Sequence, residues 1–158
     1  MAGIRARRVA GAKGRPRRAG GMILSAGAVV CRRRGRRREY LLLKNARGHW
    51  DFPKGKLEEH ERSLAAMYRE TREETGLTDL ELVPGFLMRL RWRYREGGRM
   101  VAKQAEYYLA HSAGRRVRLS REHRTARWVG IDEGLRCLSF ANARRLLRTA
   151  DLYLGRRA

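Results

Sequence analysis

The sequence predicts an α+β domain in which helices pack on a mixed β-sheet. Two observations carry this. The apolar runs come in the order strand, strand, helix, strand, strand, strand, helix, an order whose elements can bury their apolar faces only by packing against one another. The chain has 158 residues, 42% of them hydrophobic, which suits one core in a chain of single-domain length. No apolar run approaches the roughly 20 residues needed to span a bilayer.

Residues 1–21, MAGIRARRVAGAKGRPRRAGG, contain no acid, no aromatic residue and almost no large aliphatic one. Such a segment has nothing to bury, so a flexible basic tail is expected there, with the folded domain over 22–158. The segment lacks the apolar stretch of a secretory signal, and Met22 stands as an alternative start. The run MILSAGAVVCR (22–32) is β-rich, and EYLLLKN (39–45) reads as its partner. Between them RRRGRRR places a hairpin tip at Gly35. Residues 46–61 hold Gly, Pro and Asp without periodicity and read as a loop. Over 63–75, Leu64, Met67, Tyr68, Thr71 and Thr75 recur at helical spacing, and Gly76 is a natural stop. LELVPGFLMRLRWRY (80–94), MVAKQAEYYLAH (100–111) and TARWVGI (125–131) read as strands, the first two joined at Gly97-Gly98. SFANARRLLRTADLYL (139–154) closes the chain as an amphipathic helix carrying Phe140, Leu146, Leu147, Ala150 and Leu154 on one face.

Lys and Arg number 38 against 16 Asp and Glu, a formal net charge of +22. Such a balance suits polyanionic partners: nucleic acid, nucleotides or an anionic membrane surface. Genome composition or heat adaptation explains surface arginine equally well. Cys31 and Cys137 show no metal spacing. They are expected to be buried free thiols in a reducing cytosol, so a cytoplasmic location is expected.

Against this basic background, seven of the 16 acids fall between Asp51 and Glu74. Glu70, Glu73 and Glu74 share one helical face. Like charges at that spacing cost about 0.2–0.5 kcal/mol per pair. Two readings follow. Either Arg69 and Arg72 relieve a solvated acidic face, or a hard divalent cation sits on the carboxylates.

The spacing Gly55-x5-Glu61-x7-Arg69-Glu70-Thr71-x-Glu73-Glu74-x-Gly76-Leu77 resembles the Nudix box, with Thr71 the one soft match at an aliphatic position. The resemblance implies an α/β/α sandwich with a catalytic loop–helix–loop that holds Mg²⁺ or Mn²⁺ against a pyrophosphate. By the same resemblance Glu70, Glu73 and Glu74 are metal ligands and Gly55 lets the backbone approach metal or phosphate. Glu61 and Arg69 tie loop to helix, and Gly76 belongs to the motif's frame. One carboxylate takes a proton from the attacking water, and Glu73, Glu74 and the out-of-box Glu122 are the candidates.

The flanks resemble the branch of the family that cleaves dinucleoside polyphosphates asymmetrically. Lys54 and Lys56 bracket Gly55. Tyr94 lies 17 residues past Leu77. Lys103, Tyr107, Tyr108 and Leu109 form a Lys-x3-Tyr-aromatic-Leu strand, and Leu119–His123 reads Leu-Ser-x-Glu-His. That likeness implies hydrolysis of diadenosine tetraphosphate to ATP and AMP, polyphosphate contacts from Lys54, Lys56 and Lys103, and nucleoside contacts from Tyr94, Tyr108 (or Tyr107) and Trp50. It places Glu122 as a further metal ligand or proton acceptor. For the aromatic residues, core packing is an equal alternative. His123 is placed either to orient Glu122 or as a surface histidine. His60 departs from the branch, which often has Gly there, and is expected to stiffen the loop. Two other functions remain open at this stage. One is an RNA 5′-end pyrophosphohydrolase, which the basic surface suits, with RNA as a partner. The other is a basic nucleic-acid-binding protein carrying a relict box. Oligomeric state is not legible, and no membrane partner is expected.

Overall fold

The computed structural model describes residues 15–114 and 116–157. Most of the segment expected as a tail, residues 1–14, lies outside them. The elements in order are β1 (Arg18–Ala19), β2 (Met22–Arg34), β3 (Arg37–Asn45), β4 (Trp50–Asp51), β5 (Lys54–Lys56), α1 (Ser63–Thr75), β6 (Glu81–Glu96), β7 (Arg99–His111), β8 (His123–Val129), α2 (Ile131–Cys137) and α3 (Ala141–Gly155). The sheet is mixed, as expected. Its main path runs β4-β3-β2-β7-β6, with β8 against β3 and both β1 and β5 against β2. Among the described strands only β2 and β7 run parallel, from Ile23↔Lys103 to Cys31↔His111. The other paired strands are antiparallel.

Period-2 alternation divides the sheet residues between two cores. Val29, Cys31, Tyr40, Leu42, Tyr107 and Leu109 cluster with Leu146, Leu147, Ala150 and Leu154 of α3. Ala26, Ala28, Val30, Leu41 and Leu43 cluster with Ala66 and Met67 of α1. Helices therefore cover both faces and give an α/β/α sandwich. Each fully buried Leu contributes about 1.5–3 kcal/mol from removal of apolar surface. Gly76 stops α1 in a left-handed conformation (φ 73°), its N–H donating to the Arg72 carbonyl at 2.8 Å. Among the described residues no helix is long and apolar enough to cross a membrane.

Four expectations are corrected. Residues 15–21 are not tail: β1 pairs with the start of β2, Pro16 bridges to Glu58, and the Arg17 N–H donates to the Leu57 carbonyl at 2.8 Å. The backbone of this arm satisfies its hydrogen bonds without needing apolar side chains, so composition did not reveal it. The loop over 46–61 contains two short strands, β4 and β5, held by pairing to β3 and β2. The strand expected to reach Ile131 stops at Val129, and Ile131 opens the short helix α2. Gly134 lies inside α2 where a Cβ would stand 2.7 Å from Leu147, so close packing on α3 selects a residue with poor helix propensity. Cys31 is buried, but Cys137 is only partly so; both thiols are free.

Candidate active site

The site forms where β5 delivers the glycine loop to α1. Pairing of β5 with β2 sets Gly55 opposite Ala26, on the α1 side of the sheet. The Glu70 carboxylate fills the space there: a Cβ on residue 55 would lie 1.9 Å from its carboxyl carbon. Glycine at 55 is thus a steric requirement. Arg69 then ties loop to helix. Its Nε and Nη2 donate to Glu61 Oε1 and Oε2 at 2.7 and 2.8 Å, Nη1 to Glu70 Oε1 at 2.7 Å, and Nη2 to the Lys56 carbonyl at 3.0 Å. The Glu58 N–H closes the loop onto Glu61 Oε2 at 2.9 Å. The Arg69 fork holds the Glu61 carboxyl below its usual range, and Glu61 in turn holds Arg69 more firmly protonated.

The three helix carboxylates meet different surroundings. Glu70 and Glu74 are buried, at 4% and 5% exposure. Glu73 faces solvent with its side chain 46% exposed, 3.5 Å from Arg69. Glu74 accepts the Lys54 N–H at 3.1 Å. Burial pushes its carboxyl up to about 8, Glu70 and Glu122 add to that, and the Lys54 amide and ammonium oppose it. The segment carrying Glu122 is pinned to the end of α1: the Arg118 N–H donates to the Thr75 carbonyl and the Ser120 N–H to the Glu74 carbonyl. His123 Nε2 stands 3.9 Å from Glu74 Oε2, and its Nδ1 is 3.3 Å from Ser120 Oγ. Burial holds the imidazole below its usual range.

Among the described residues no three His, Cys, Asp or Glu side chains are gathered into a ready metal cluster. The donor set nevertheless fits a hard divalent cation. It consists of carboxylates only, two of them buried, with Glu70 raising the proton affinity of Glu74, beside a glycine that leaves the backbone bare.

On the opposite side of β5 the period-2 alternation sets Lys54 and Lys56, next to Lys103 of β7. Burial lowers the Lys103 ammonium to about 8; Lys54 and Lys56 lower it further, while Asp51 and Glu70 resist. Lys54 Nζ also pairs with Asp51. Two cavities meet at these lysines. One, of about 590 Å³, is lined by Tyr94, Trp92, Tyr107, Phe140 and Asp51 among others. The second, of about 420 Å³, holds Gly55, Lys56, Glu70 and Glu122. Lys54 and Lys103 line both.

Of the expected substrate contacts, Lys54, Lys56, Lys103 and Tyr94 line these cavities. Tyr108 and Trp50 do not. Residues 107 and 108 point to opposite faces of β7. Tyr107 therefore lines the larger cavity, its ring 6.1 Å from Phe52 in an edge contact. Tyr108 packs on the α1 side, where its hydroxyl meets Ser63 Oγ at 2.5 Å. Trp50 packs against the α3-side core, with Lys44 Nζ 5.8 Å above its ring. Phe140, expected on the buried face of the last helix, instead occupies its N-cap at 45% exposure, 5.1 Å from the His49 ring at the cavity. Trp92 and Asp51 were not anticipated. Trp92 stands two residues before Tyr94 on β6, so strand alternation alone places both on one face. The position of Phe140 depends on α2, and no local signal announced it.

The NUDIX domain profile matches residues 22–149. The chain is 34% identical over 122 residues to the asymmetrical bis(5′-nucleosyl)-tetraphosphatase of Mus musculus, covering 73% of this chain and 80% of that one. The crystal structure of a binary complex of a Caenorhabditis elegans Ap4A hydrolase superposes with a TM-score of 0.75 at 29% identity, covering 84% of this chain and 97% of that one. An RNA pyrophosphohydrolase of Halorhodospira halophila is 34% identical over 95 residues, 52% of each chain.

Proposed function

Because the chain belongs to the Nudix family, hydrolases of phosphoanhydride bonds, we propose that it cleaves dinucleoside polyphosphates, with diadenosine tetraphosphate yielding ATP and AMP. The observation that carries this reading is the pair of cavities joined at Lys54 and Lys103. The aromatic-walled cavity takes a nucleoside, its base stacking on Tyr94, Trp92 or Phe140. The phosphate chain runs over Lys54, Lys56 and Lys103 into the carboxylate cavity. The mouse and nematode relatives, named for this activity, support the substrate class.

In this proposal Glu70, Glu73 and Glu74, with the Gly55 backbone, would hold Mg²⁺ or Mn²⁺. When bound, the cation screens the phosphate charge and polarises phosphorus toward attack. The chain's own groups do the rest. The lysines fix the phosphates in line and offset their charge. The Arg69–Glu61 tie keeps the glycine loop at the distance Glu70 requires. A water oxygen attacks phosphorus and the bridging P–O bond breaks. The leaving phosphate departs with its nucleotide, and the water's proton passes to a carboxylate. Glu122 is assigned that last role because it lines the cavity from outside the helix, while Glu74 is anchored by the Lys54 amide.

A second reading, hydrolysis of the 5′-triphosphate of RNA, is favoured by the net charge and by the Halorhodospira relative. The deciding experiment incubates the protein and Mg²⁺ with dinucleoside tri- and tetraphosphates, ADP-ribose, nucleoside triphosphates and triphosphorylated RNA, and separates the products by chromatography. ATP plus AMP in equal amounts as the fastest reaction supports the first reading. Faster pyrophosphate release from RNA overturns it in favour of the second.

A further inference from the structure

Three cavities adjoin in series. The first two share Lys54 and Lys103. The carboxylate cavity in turn shares Pro16 with an open groove of about 610 Å³. The groove is lined by Arg15, Pro16, Arg17, Arg18, Glu59, His60 and Arg62. Among the described residues, four arginines therefore line it against one carboxylate. Arg17 spends one nitrogen on the Glu61 carbonyl at 2.9 Å. Among the described residues, no carboxylate lies within ion-pair distance of Arg15, Arg18 or Arg62. Among the described residues the wall has no tyrosine, tryptophan or phenylalanine, and no aliphatic side chain except Pro16. It suits phosphate oxygens, which guanidinium forks match in geometry and charge, and offers little for a base to stack on.

The arm that carries these arginines is fixed to the catalytic loop. The Arg17 N–H donates to the Leu57 carbonyl, the Leu24 N–H donates to the Arg17 carbonyl at 3.1 Å, and Pro16 bridges to Glu58. It also precedes the segment matched by the NUDIX domain, which begins at residue 22. We infer that Arg15, Arg18 and Arg62 build a third anion subsite, which takes phosphate groups of a substrate that continues past the scissile anhydride. This rests on the proposed placement of the phosphates in the middle cavity. The shared chemistry is a row of phosphates, supplied either by a longer phosphate bridge between two nucleosides or by the backbone of a 5′-triphosphorylated oligonucleotide.

The test replaces Arg15, Arg18 and Arg62 together by Gln, leaving Arg17 in place. Affinities for diadenosine tetra- and hexaphosphate and for a triphosphorylated oligonucleotide are measured by calorimetry with Mg²⁺ in a Glu74→Gln background. Turnover is measured in parallel in the catalytically intact protein. The expected result is that the triple variant binds hexaphosphate about tenfold more weakly but tetraphosphate only about twofold, as for loss of a few exposed charge contacts. KM should rise for the longer substrate with kcat held, and Lys at all three positions should restore most of the loss. A larger loss on the oligonucleotide than on hexaphosphate identifies backbone phosphates as the occupant, and the reverse identifies the bridge. Equal losses on all three ligands, or no loss on hexaphosphate and oligonucleotide alike, overturn the subsite. Absence of any dinucleoside polyphosphate turnover defeats the proposed function instead, while the binding comparison still decides the subsite.

Discussion

At the scale of single residues, one carboxylate, one lysine and one histidine have surroundings that set their behaviour. Glu74→Gln should lower kcat by roughly 10²–10⁴-fold, the range expected for removing a group that acts on the reacting proton or its cation. The amide oxygen still accepts the Lys54 N–H, so the thermal midpoint should hold; turnover at the parent rate would refute the assignment. Burial, and then Lys54 and Lys56 on β5, lower the Lys103 ammonium to about 8, with Asp51 and Glu70 opposing. Its charge is present below that pH and lost above it, so kcat/KM should fall on the alkaline side. Lys103→Met should flatten that limb and raise KM at neutral pH; an unchanged limb would assign it to another group. His60 is the one non-glycine residue with positive φ among those described, at 65°, and its side chain is 92% exposed. The left-handed region costs an ordinary residue about 1–2 kcal/mol, and glycine carries about 0.5–1 kcal/mol of extra chain entropy. His60→Gly should therefore stabilise by about 0.5–1 kcal/mol in denaturant melts. The motif spacing made Gly55, Glu61, Arg69 and Glu70 legible because Glu70 packs on Gly55 and Arg69 ties Glu70 to Glu61. It could not show that Glu73 faces solvent, since that depends on how α1 is rolled against the sheet. Thr71, the soft match, is fully buried, so its position is about packing rather than chemistry.

At the scale of elements, what periodicity revealed and what it missed follow from the source of each element's stability. The long strands and α1 and α3 carry their own apolar pattern, so β2, β3, β6, β7 and both helices were readable to within a few residues. The elements β1, β4, β5 and α2 are two to seven residues long and exist through their neighbours. These short elements set up the site. β5 separates the glycine from the lysines, and α2 turns the chain so that Phe140 reaches the aromatic-walled cavity. The same logic divides the N-terminal segment into two parts with different consequences. Removing residues 1–14 takes away none of the hydrogen bonds described for the arm. Removing 1–21 deletes β1, its bonds to Leu24 and Leu57, and the Arg17 tie to Glu61. Each lost hydrogen bond is worth about 0.5–1.5 kcal/mol. The shorter truncation should leave the melting midpoint and tetraphosphate turnover close to the parent. The longer one should lower both, because the catalytic loop loses its outer brace. Identical behaviour of the two would mean that β1 contributes nothing to the loop.

At the scale of the whole molecule, a net charge of +22 on 158 residues acts on stability and on substrate capture in opposite directions. Only part of the arginine surface is neutralised. Arg32 pairs with Glu39, Arg89 with Glu106 and Arg127 with Glu133, but there are 16 acids for 38 basic residues. The folded state concentrates this excess, whereas the unfolded chain spreads it out, so self-repulsion opposes folding. The same field draws a polyphosphate toward the cavities, whose rim adds Arg47 and Arg93 to the three lysines. Salt screens both effects, with a Debye length of about 10 Å at 0.1 M that is shorter than the molecule. Raising NaCl should therefore increase the melting temperature while it lowers kcat/KM for an anionic substrate, mostly through KM. A protein stabilised mainly by surface ion pairs would instead lose melting temperature with salt. Acid should act in the direction of low salt. Ser112 and the Ala113 N–H hold the Asp79 carboxyl below its usual range. Its stabilisation is therefore complete above the unfolded carboxylate range and is lost as pH falls through the lower folded value. Protonating such groups also raises the positive charge, so salt should rescue the melting temperature more strongly at pH 4 than at pH 7. An equal salt effect at the two values would show that self-repulsion is not what limits this fold.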